Sequence, residues 1–92
     1  MIKATKIKMY DGKEESNSVL EIQSIYLTGV KENGFFTKES IYDFLKKNPT
    51  SQIRVDIEPN PQLVGAVRGT QKYVRSEPND SVHDNLLKLP RF

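Results

Sequence analysis

The residue types of a hydrolytic triad lie close together near the end of this 92-residue chain. Ser81, His83 and Asp84 could supply a nucleophile, a base and an orienting acid. A triad needs its base lined up between the other two groups, which residues so close in sequence rarely achieve. A metal site at Asp80, His83 and Asp84 is equally poor, because loops that bind hard cations place more oxygen ligands at tighter intervals. We therefore predict a protein that is not an enzyme and holds no metal.

A second candidate is a set of basic residues around one tyrosine: Arg54, Arg68, Lys72, Tyr73 and Arg75. Their segments are predicted to be adjacent strands, so the side chains could come together as a binding site. A basic patch with an aromatic ring suits RNA, single-stranded DNA or a nucleotide. Two alternatives stay open. In one, Tyr73 belongs to the core and Arg75 pairs with Asp56 or Glu77; in the other, the residues form a solvated surface of mixed charge.

The composition excludes several classes of site. The chain has no cysteine and one histidine, which removes disulfides, thiolate nucleophiles and most zinc sites. It contains neither of the glycine-rich motifs that cradle phosphates, and we predict no cofactor. Fourteen Lys and Arg against twelve Asp and Glu give a net charge of +2. That balance neither requires nor excludes a nucleic-acid partner.

The length fits a single domain, residues 1–92, with a small core. No apolar run approaches the ~18 residues that would span a membrane. The N-terminus carries lysines but lacks the apolar run of a signal peptide. We therefore expect a cytoplasmic protein without a membrane partner.

Local patterns predict the element order β-β-α-β-β-β. Alternation of bulky and polar residues predicts strands at 2–9, 19–28, 52–57, 63–67 and 71–76. Polar or glycine-containing loops are predicted at 11–18 and 29–34. The faces reverse within the second strand, which predicts a bulge near Gln23–Ser24. Lysines in the first strand are typical of an edge strand that resists aggregation.

One helix is predicted at about 37–47. Thr37 is a suitable N-cap, and Ile41, Phe44 and Leu45 form an apolar stripe at helical spacing. Asn48-Pro49 prevents the helix from continuing. A helix this short needs a sheet to pack against.

The C-terminal tail is predicted to dock on the body of the domain. Val82, Leu86 and Leu89 have the i, i+4, i+7 spacing of one or two helical turns. A short apolar edge of this kind could close the core. The alternative is a linear motif that orders only when a partner binds it.

The same region resembles the closing signature of a small bacterial domain family of unknown function. The resemblance is carried by Lys72-Tyr73-Val74-Arg75-Ser76, then by Pro78-Asn79-Asp80, and then by Asp84-Asn85-Leu86-Leu87-Lys88-Leu89-Pro90. It implies a one-domain α+β fold. It implies no activity, because none is attached to that family.

The sequence thus predicts an α+β fold: a small, mostly antiparallel sheet of four or five strands, one helix on one face and a docked tail. The predicted function is a non-enzymatic binding or adaptor domain with a protein partner. The alternative is a phage- or mobile-element-related protein that binds nucleic acid, a nucleotide or another anion through its basic face.

Overall fold

The order of elements along the chain is that of an α+β fold. The computed structural model describes residues 1–77 and 84–92. Within them the elements are β1 (Ile2–Met9), β2 (Ile22–Thr28), β3 (Gly34–Thr37), α1 (Lys38–Lys47), β4 (Ile53–Val55), β5 (Leu63–Arg68) and β6 (Gln71–Ser76). Two 3₁₀ helices cover Val19–Glu21 and Asn85–Lys88. The predicted fold class is confirmed.

The strands form two sheets where the sequence predicts one. The larger sheet has the order β3-β2-β1-β4, and the smaller one is the antiparallel hairpin of β5 and β6. β4 runs parallel to β1 and pairs with Ile2–Ala4, whereas the other neighbours are antiparallel. An isolated bridge between Arg54 and Gln62 links β4 to the start of the hairpin. Apart from this bridge, the hairpin is a separate sheet, and it packs on α1.

β1 is an inner strand, so the interpretation of its lysines as edge guards is wrong. β2 pairs with one side of β1 along its length. On the other side, β4 covers the first half and the C-terminal tail covers the second. The Ile7 N–H donates to the Pro90 carbonyl, and the Phe92 N–H donates to the Ile7 carbonyl, both at 2.9 Å. The lysines therefore project from the face of a strand that is paired on both sides.

The register of β1 and β2 shifts twice. One shift leaves Gln23 unpaired in the ladder and confirms the bulge predicted near Gln23–Ser24. The other leaves Thr5 unpaired in β1. An extra residue reverses the alternation of faces, which explains why Ala4 and Ile7, on either side of Thr5, are both buried.

The second predicted strand, 19–28, begins later than its alternation indicates. Residues Val19–Glu21 form a 3₁₀ helix, because the Ser18 hydroxyl accepts a hydrogen bond from the Leu20 N–H (3.2 Å) and caps the turn. β2 follows directly from this helix.

Two further boundaries differ from the prediction. The loop predicted at 29–34 ends one residue early, because Gly34–Thr37 form β3, a strand that the predicted order β-β-α-β-β-β lacks, and pair with β2. The strand predicted at 52–57 ends at Val55, whose N–H donates to the Pro61 carbonyl (2.9 Å) across a turn.

The helix α1 begins where its capping signal predicts. The Thr37 hydroxyl accepts a hydrogen bond from the Ser40 N–H (3.2 Å), and the Asn48 N–H donates to the Phe44 carbonyl (2.9 Å) at the other end. The prediction at 37–47 is confirmed, with Thr37 as the N-cap. At ten residues α1 is too short to cross a membrane, and no other helix in the described part of the chain is long and apolar enough to do so.

The helix and the hairpin approach each other closely at Gly65. A Cβ atom built on Gly65 would lie 2.8 Å from Cδ2 of Tyr42 on α1, nearer than side chains tolerate. Because Gly65 has no side chain, the Tyr42 ring can pack directly against β5. Buried residues from both sheets, α1 and the tail form one apolar core beneath this contact.

The tail, residues 84–92, docks on that core as predicted. Leu86 and Leu89 are buried, with 0% and 3% of their surface exposed. The predicted helical turns are present as the 3₁₀ helix Asn85–Lys88, whereas Val82 lies outside the described residues. The tail therefore supplies part of the core.

Candidate functional site

The structure divides the five predicted binding residues between the two sheets: Arg54 in β4, and Arg68, Lys72, Tyr73 and Arg75 in the hairpin. The Arg54 guanidinium lies 3.8 Å from the Glu77 carboxylate and donates to the Asn60 carbonyl (3.2 Å). These contacts tie β4 to the residues that lead into and out of the hairpin. Arg54 is thus partly engaged in holding the two sheets together.

Lys72 and Tyr73 point to opposite sides of the hairpin, as the predicted alternation of β6 requires. The Lys72 ammonium lies on the helix side, 3.0 Å from the Asp43 carboxylate and 5.5 Å from the centroid of the Tyr42 ring. Tyr73 is half-buried on the other side. A single ligand on one face of the hairpin would therefore not meet both residues.

Arg68 and Tyr73 do come together. They line one surface depression of about 360 Å³, which also contacts the 3₁₀ helix Val19–Glu21 and the tail. Arg75 shares their face of the hairpin, but its guanidinium donates to the neighbouring Ser76 carbonyl (3.4 Å). The predicted hairpin site is therefore reduced to an arginine and a half-buried tyrosine.

The alternative pairing of Arg75 with Asp56 or Glu77 is wrong. Asp56 lies 3.9 Å from the Lys3 ammonium, and Glu77 contacts Arg54 instead. Both acids therefore balance charges that belong to the larger sheet.

Asp84 has a structural role. Its carboxylate accepts hydrogen bonds from the Ser76 N–H (3.1 Å) and O–H (2.7 Å), which fasten the tail to β6. Ser81 and His83 of the candidate triad, and Asp80 of the candidate metal site, lie outside the described residues. Within residues 1–77 and 84–92, no cluster of His, Asp and Glu could hold a metal ion.

One face of the larger sheet points away from α1 and the buried core, and we call it the open face. Cross-strand partners identify the side chains on it. They are Lys3, Lys6, Lys8, Tyr26, Thr28, Phe35 and Arg54, together with the buried Ser24, and the tail adds Phe92. The open face therefore combines basic and aromatic residues.

Lys6 lies between two aromatic rings on the open face. Its ammonium nitrogen is 4.8 Å from the centroid of the Tyr26 ring and 5.0 Å from that of Phe92. Both distances fall within the ~6 Å range of cation–π attraction. Tyr26 is the partner of Lys6 in the ladder, and the main-chain bond to Ile7 brings Phe92 alongside. Backbone pairing therefore fixes this arrangement.

The aromatic rings of the open face form a cluster that reaches the edge of the sheet. Phe35 meets Tyr26 edge to face, with centroids 5.1 Å apart and planes at 83°. It also meets Phe92, at 6.0 Å and 72°. Phe35 and Phe92 keep 42% and 64% of their surface exposed. Exposed apolar groups that adjoin one another mark binding surfaces more often than scattered ones do.

The charge of the open face is mainly positive. The cations at its strand positions are Lys3, Lys6, Lys8 and Arg54. Asp56 and Glu77 approach the first and last of these from outside the strands. Lys6 and Lys8 form no ion pair with any acid that the structure describes. Two cations next to the aromatic cluster therefore remain available to an anionic ligand.

The sequence predicts a basic aromatic site on the hairpin and does not predict the open face. The β1 lysines resemble edge guards because nothing local shows that β4 and the tail pair with β1. A signal was present for Tyr26, which alternates with the apolar Ile25 and Leu27 and so belongs on the face opposite the core. Phe35 falls next to a predicted loop, and no local pattern places it beside Tyr26.

An apolar groove opens between α1 and one end of the larger sheet. Its volume is about 260 Å³, and its apolar walls include Ile2, Leu27, Val30, Phe36, Ile41 and Phe44. Lys31 and Ser40 are the polar residues that line it. The groove lies on the core side of the sheet and is therefore separate from the open face.

Comparisons of the chain with protein-family models, with curated proteins and with solved structures found no match in any of the three. The family that the C-terminal segment resembles therefore stays a prediction.

Proposed function

We propose that this protein is a non-enzymatic binding domain that takes single-stranded nucleic acid on its open face. The observation that carries the proposal is the Lys6 ammonium between the Tyr26 and Phe92 rings, on a face that is rich in cations. Proteins bind single strands by stacking bases on aromatic side chains while cations follow the phosphates. The open face has both kinds of group side by side.

The dimensions of the open face suit a strand that lies across it. Neighbouring strands are about 4.8 Å apart, so the distance from β3 to β4 is roughly 15 Å. Phe35, Tyr26 and Lys6 form one cross-strand row, and Thr28, Lys3 and Arg54 form the next. A bound strand would meet rings in the first row and cations in both.

The arrangement favours single strands over a duplex. Stacking on a protein ring needs the flat face of a base, and in a duplex those faces are covered by neighbouring base pairs. Among residues 1–77 and 84–92, no helix or ribbon of the kind that enters a major groove protrudes from the open face. It carries rings and cations rather than a nucleophile with an adjacent base, which supports binding rather than catalysis.

The proposal is tested with fluorescently labelled oligothymidine and oligouridine, whose anisotropy is followed as protein is added at several salt concentrations. We expect binding that weakens as salt rises, because phosphate contacts release counterions. A duplex of equal length should bind more weakly. No binding of either oligonucleotide at low salt would overturn the proposal.

A matched pair of lysine substitutions separates the open face from the charge of the whole protein. Lys6→Ala should weaken binding and lower the slope of log affinity against log salt by about one. Lys47→Ala removes the same charge from an exposed position at the end of α1 and should leave the slope unchanged. Equal effects of the two substitutions would mean that binding is non-specific.

A further inference from the structure

The apolar groove is slightly smaller than a typical ligand pocket and large enough for one side chain. Pockets for drug-sized molecules measure roughly 300–1,000 Å³, whereas this groove measures about 260 Å³. A cavity of about 150 Å³ already accommodates benzene. One large apolar side chain therefore fits the groove, and the rest of the molecule that carries it would lie outside.

The backbone next to the groove can receive an extended chain. In the part of the chain that the structure describes, β3 is the outermost strand of the larger sheet and pairs on one side with β2. The N–H and C=O groups on its other side form a free edge. Natural edge strands usually carry charges that prevent pairing, but Gly34–Thr37 contains none. Its exposed residues include Phe36, which also lines the groove.

Gly34 connects the free edge to the core side of the sheet. Its partner in β2 is Leu27, a buried residue that lines the groove, so a side chain at position 34 would point toward the same side. A Cβ built there meets nothing within 4 Å. The φ angle of Gly34 is not in the left-handed region, so the backbone does not require glycine. Because Gly34 has no side chain, the space on the core side of β3 at this position stays empty.

We propose that a partner protein adds an extended peptide segment to the free edge of β3 and inserts one large apolar side chain into the apolar groove. Main-chain pairing provides affinity in this mode of recognition, and pockets for alternate side chains provide specificity. Exposed Lys31, which lines the groove, favours an acidic residue beside the anchor. This inference goes beyond the proposed function, since it uses the other face of the sheet.

The test is a selection from a displayed library of random short peptides, run in parallel on the wild-type protein and on Gly34→Val. Valine suits a strand and should keep or raise the melting temperature while filling the space beside the groove. Ser40→Leu, which places an apolar side chain in the groove from α1, is the second variant. We expect peptides with one large apolar residue and a nearby acid to be enriched on the wild type and on neither variant.

The enriched peptide is then synthesised in three forms: unchanged, with its anchor replaced by alanine, and with N-methyl groups on alternate amides. Loss of the anchor should weaken binding at least tenfold, because a large apolar side chain is no longer buried. N-methylation should do the same by removing the donors that pair with β3. The amide resonances of Gly34–Thr37 should shift on binding of the unchanged peptide.

Four outcomes would overturn the inference. The first would be a library that yields no sequence preferring the wild type to Gly34→Val, and the second an N-methylated peptide that binds as well as the unchanged one. The third would be binding of octanoate, a small apolar acid, in the groove when no peptide binds there. The fourth would be dimerisation of the wild-type protein, but not of Gly34→Val, in the ultracentrifuge, which would mean that a second copy of the chain occupies the edge.

Discussion

Phe35 and Phe36 are neighbours in β3, yet their side chains lie on opposite faces of the larger sheet. Phe35 is the partner of Tyr26 on the open face, and Phe36 is the partner of Ile25 on the core side, where it lines the apolar groove. One short strand therefore contributes an aromatic ring to each proposed site. Single substitutions in it can test the two proposals separately.

The Asp84 carboxylate should be needed to hold the tail in place. Asp84→Ala removes the acceptor for the Ser76 N–H and O–H and for the Leu86 N–H. Hydrogen bonds to a charged group are worth about 1.5–3 kcal/mol each in favourable cases, so we expect a loss of about 2–3 kcal/mol in urea denaturation. Asp11→Ala, in an exposed loop, is the control and should change stability by less than about 0.5 kcal/mol. Equal midpoints for the two variants would contradict this role.

A chain that ends at residue 79 should fail to fold. The deletion removes Leu86 and Leu89 from the core. Leu→Ala at such sites costs about 2–5 kcal/mol, and a domain of this size has only about 5 kcal/mol or slightly more to lose. Thermal melts of the full and shortened chains check this, with Leu86→Ala as a milder step. Equal melting temperatures would mean that the tail is a linear motif rather than part of the core.

Two strand glycines should respond in opposite directions to the same change. Gly65→Ala places a Cβ 2.8 Å from the Tyr42 ring and should cost about 1–3 kcal/mol, because the helix and hairpin must separate or the ring must move. Gly34→Ala meets nothing within 4 Å and should be neutral or stabilise by up to about 1 kcal/mol. Chemical denaturation of both variants tests the packing of α1 on β5. A neutral Gly65→Ala would refute that close contact.

The parts of the fold that local chemistry determines could be predicted from the sequence. The N-cap residue Thr37 predicted where α1 begins, and Asn48-Pro49 predicted where it ends. The reversal of faces near Gln23 gave the bulge in β2. These features depend on residues only a few positions apart, whose interactions do not require knowledge of the rest of the chain.

The pairing of distant segments could not be predicted in the same way. Nothing near β1 indicates that β4 runs parallel to it or that Phe92 bonds to Ile7. For that reason the sequence predicts an edge strand where the structure has an inner one. The position of the β1 lysines, and with it the site, depends on this long-range pairing.

The grouping of the predicted binding residues depends on long-range pairing for the same reason. Arg54, Lys72 and Tyr73 are close in the predicted strand order, but they belong to two sheets or to opposite sides of one hairpin. The residues that the structure does bring together, Lys6 and Phe92, are far apart in sequence. Only the three-dimensional pairing makes them neighbours.

The central claim, that the open face binds single-stranded nucleic acid, is tested most directly by comparing Phe35→Ala with Phe36→Ala. Both changes remove a phenyl ring from the same strand, so their effects on the strand itself are matched. Stacking of one base on a ring is worth about 1–3 kcal/mol. We expect Phe35→Ala to weaken binding of labelled oligothymidine at least fivefold and Phe36→Ala to leave it within about twofold of the wild type. Equal affinities for the two variants, or a larger loss with Phe36→Ala, would contradict the claim.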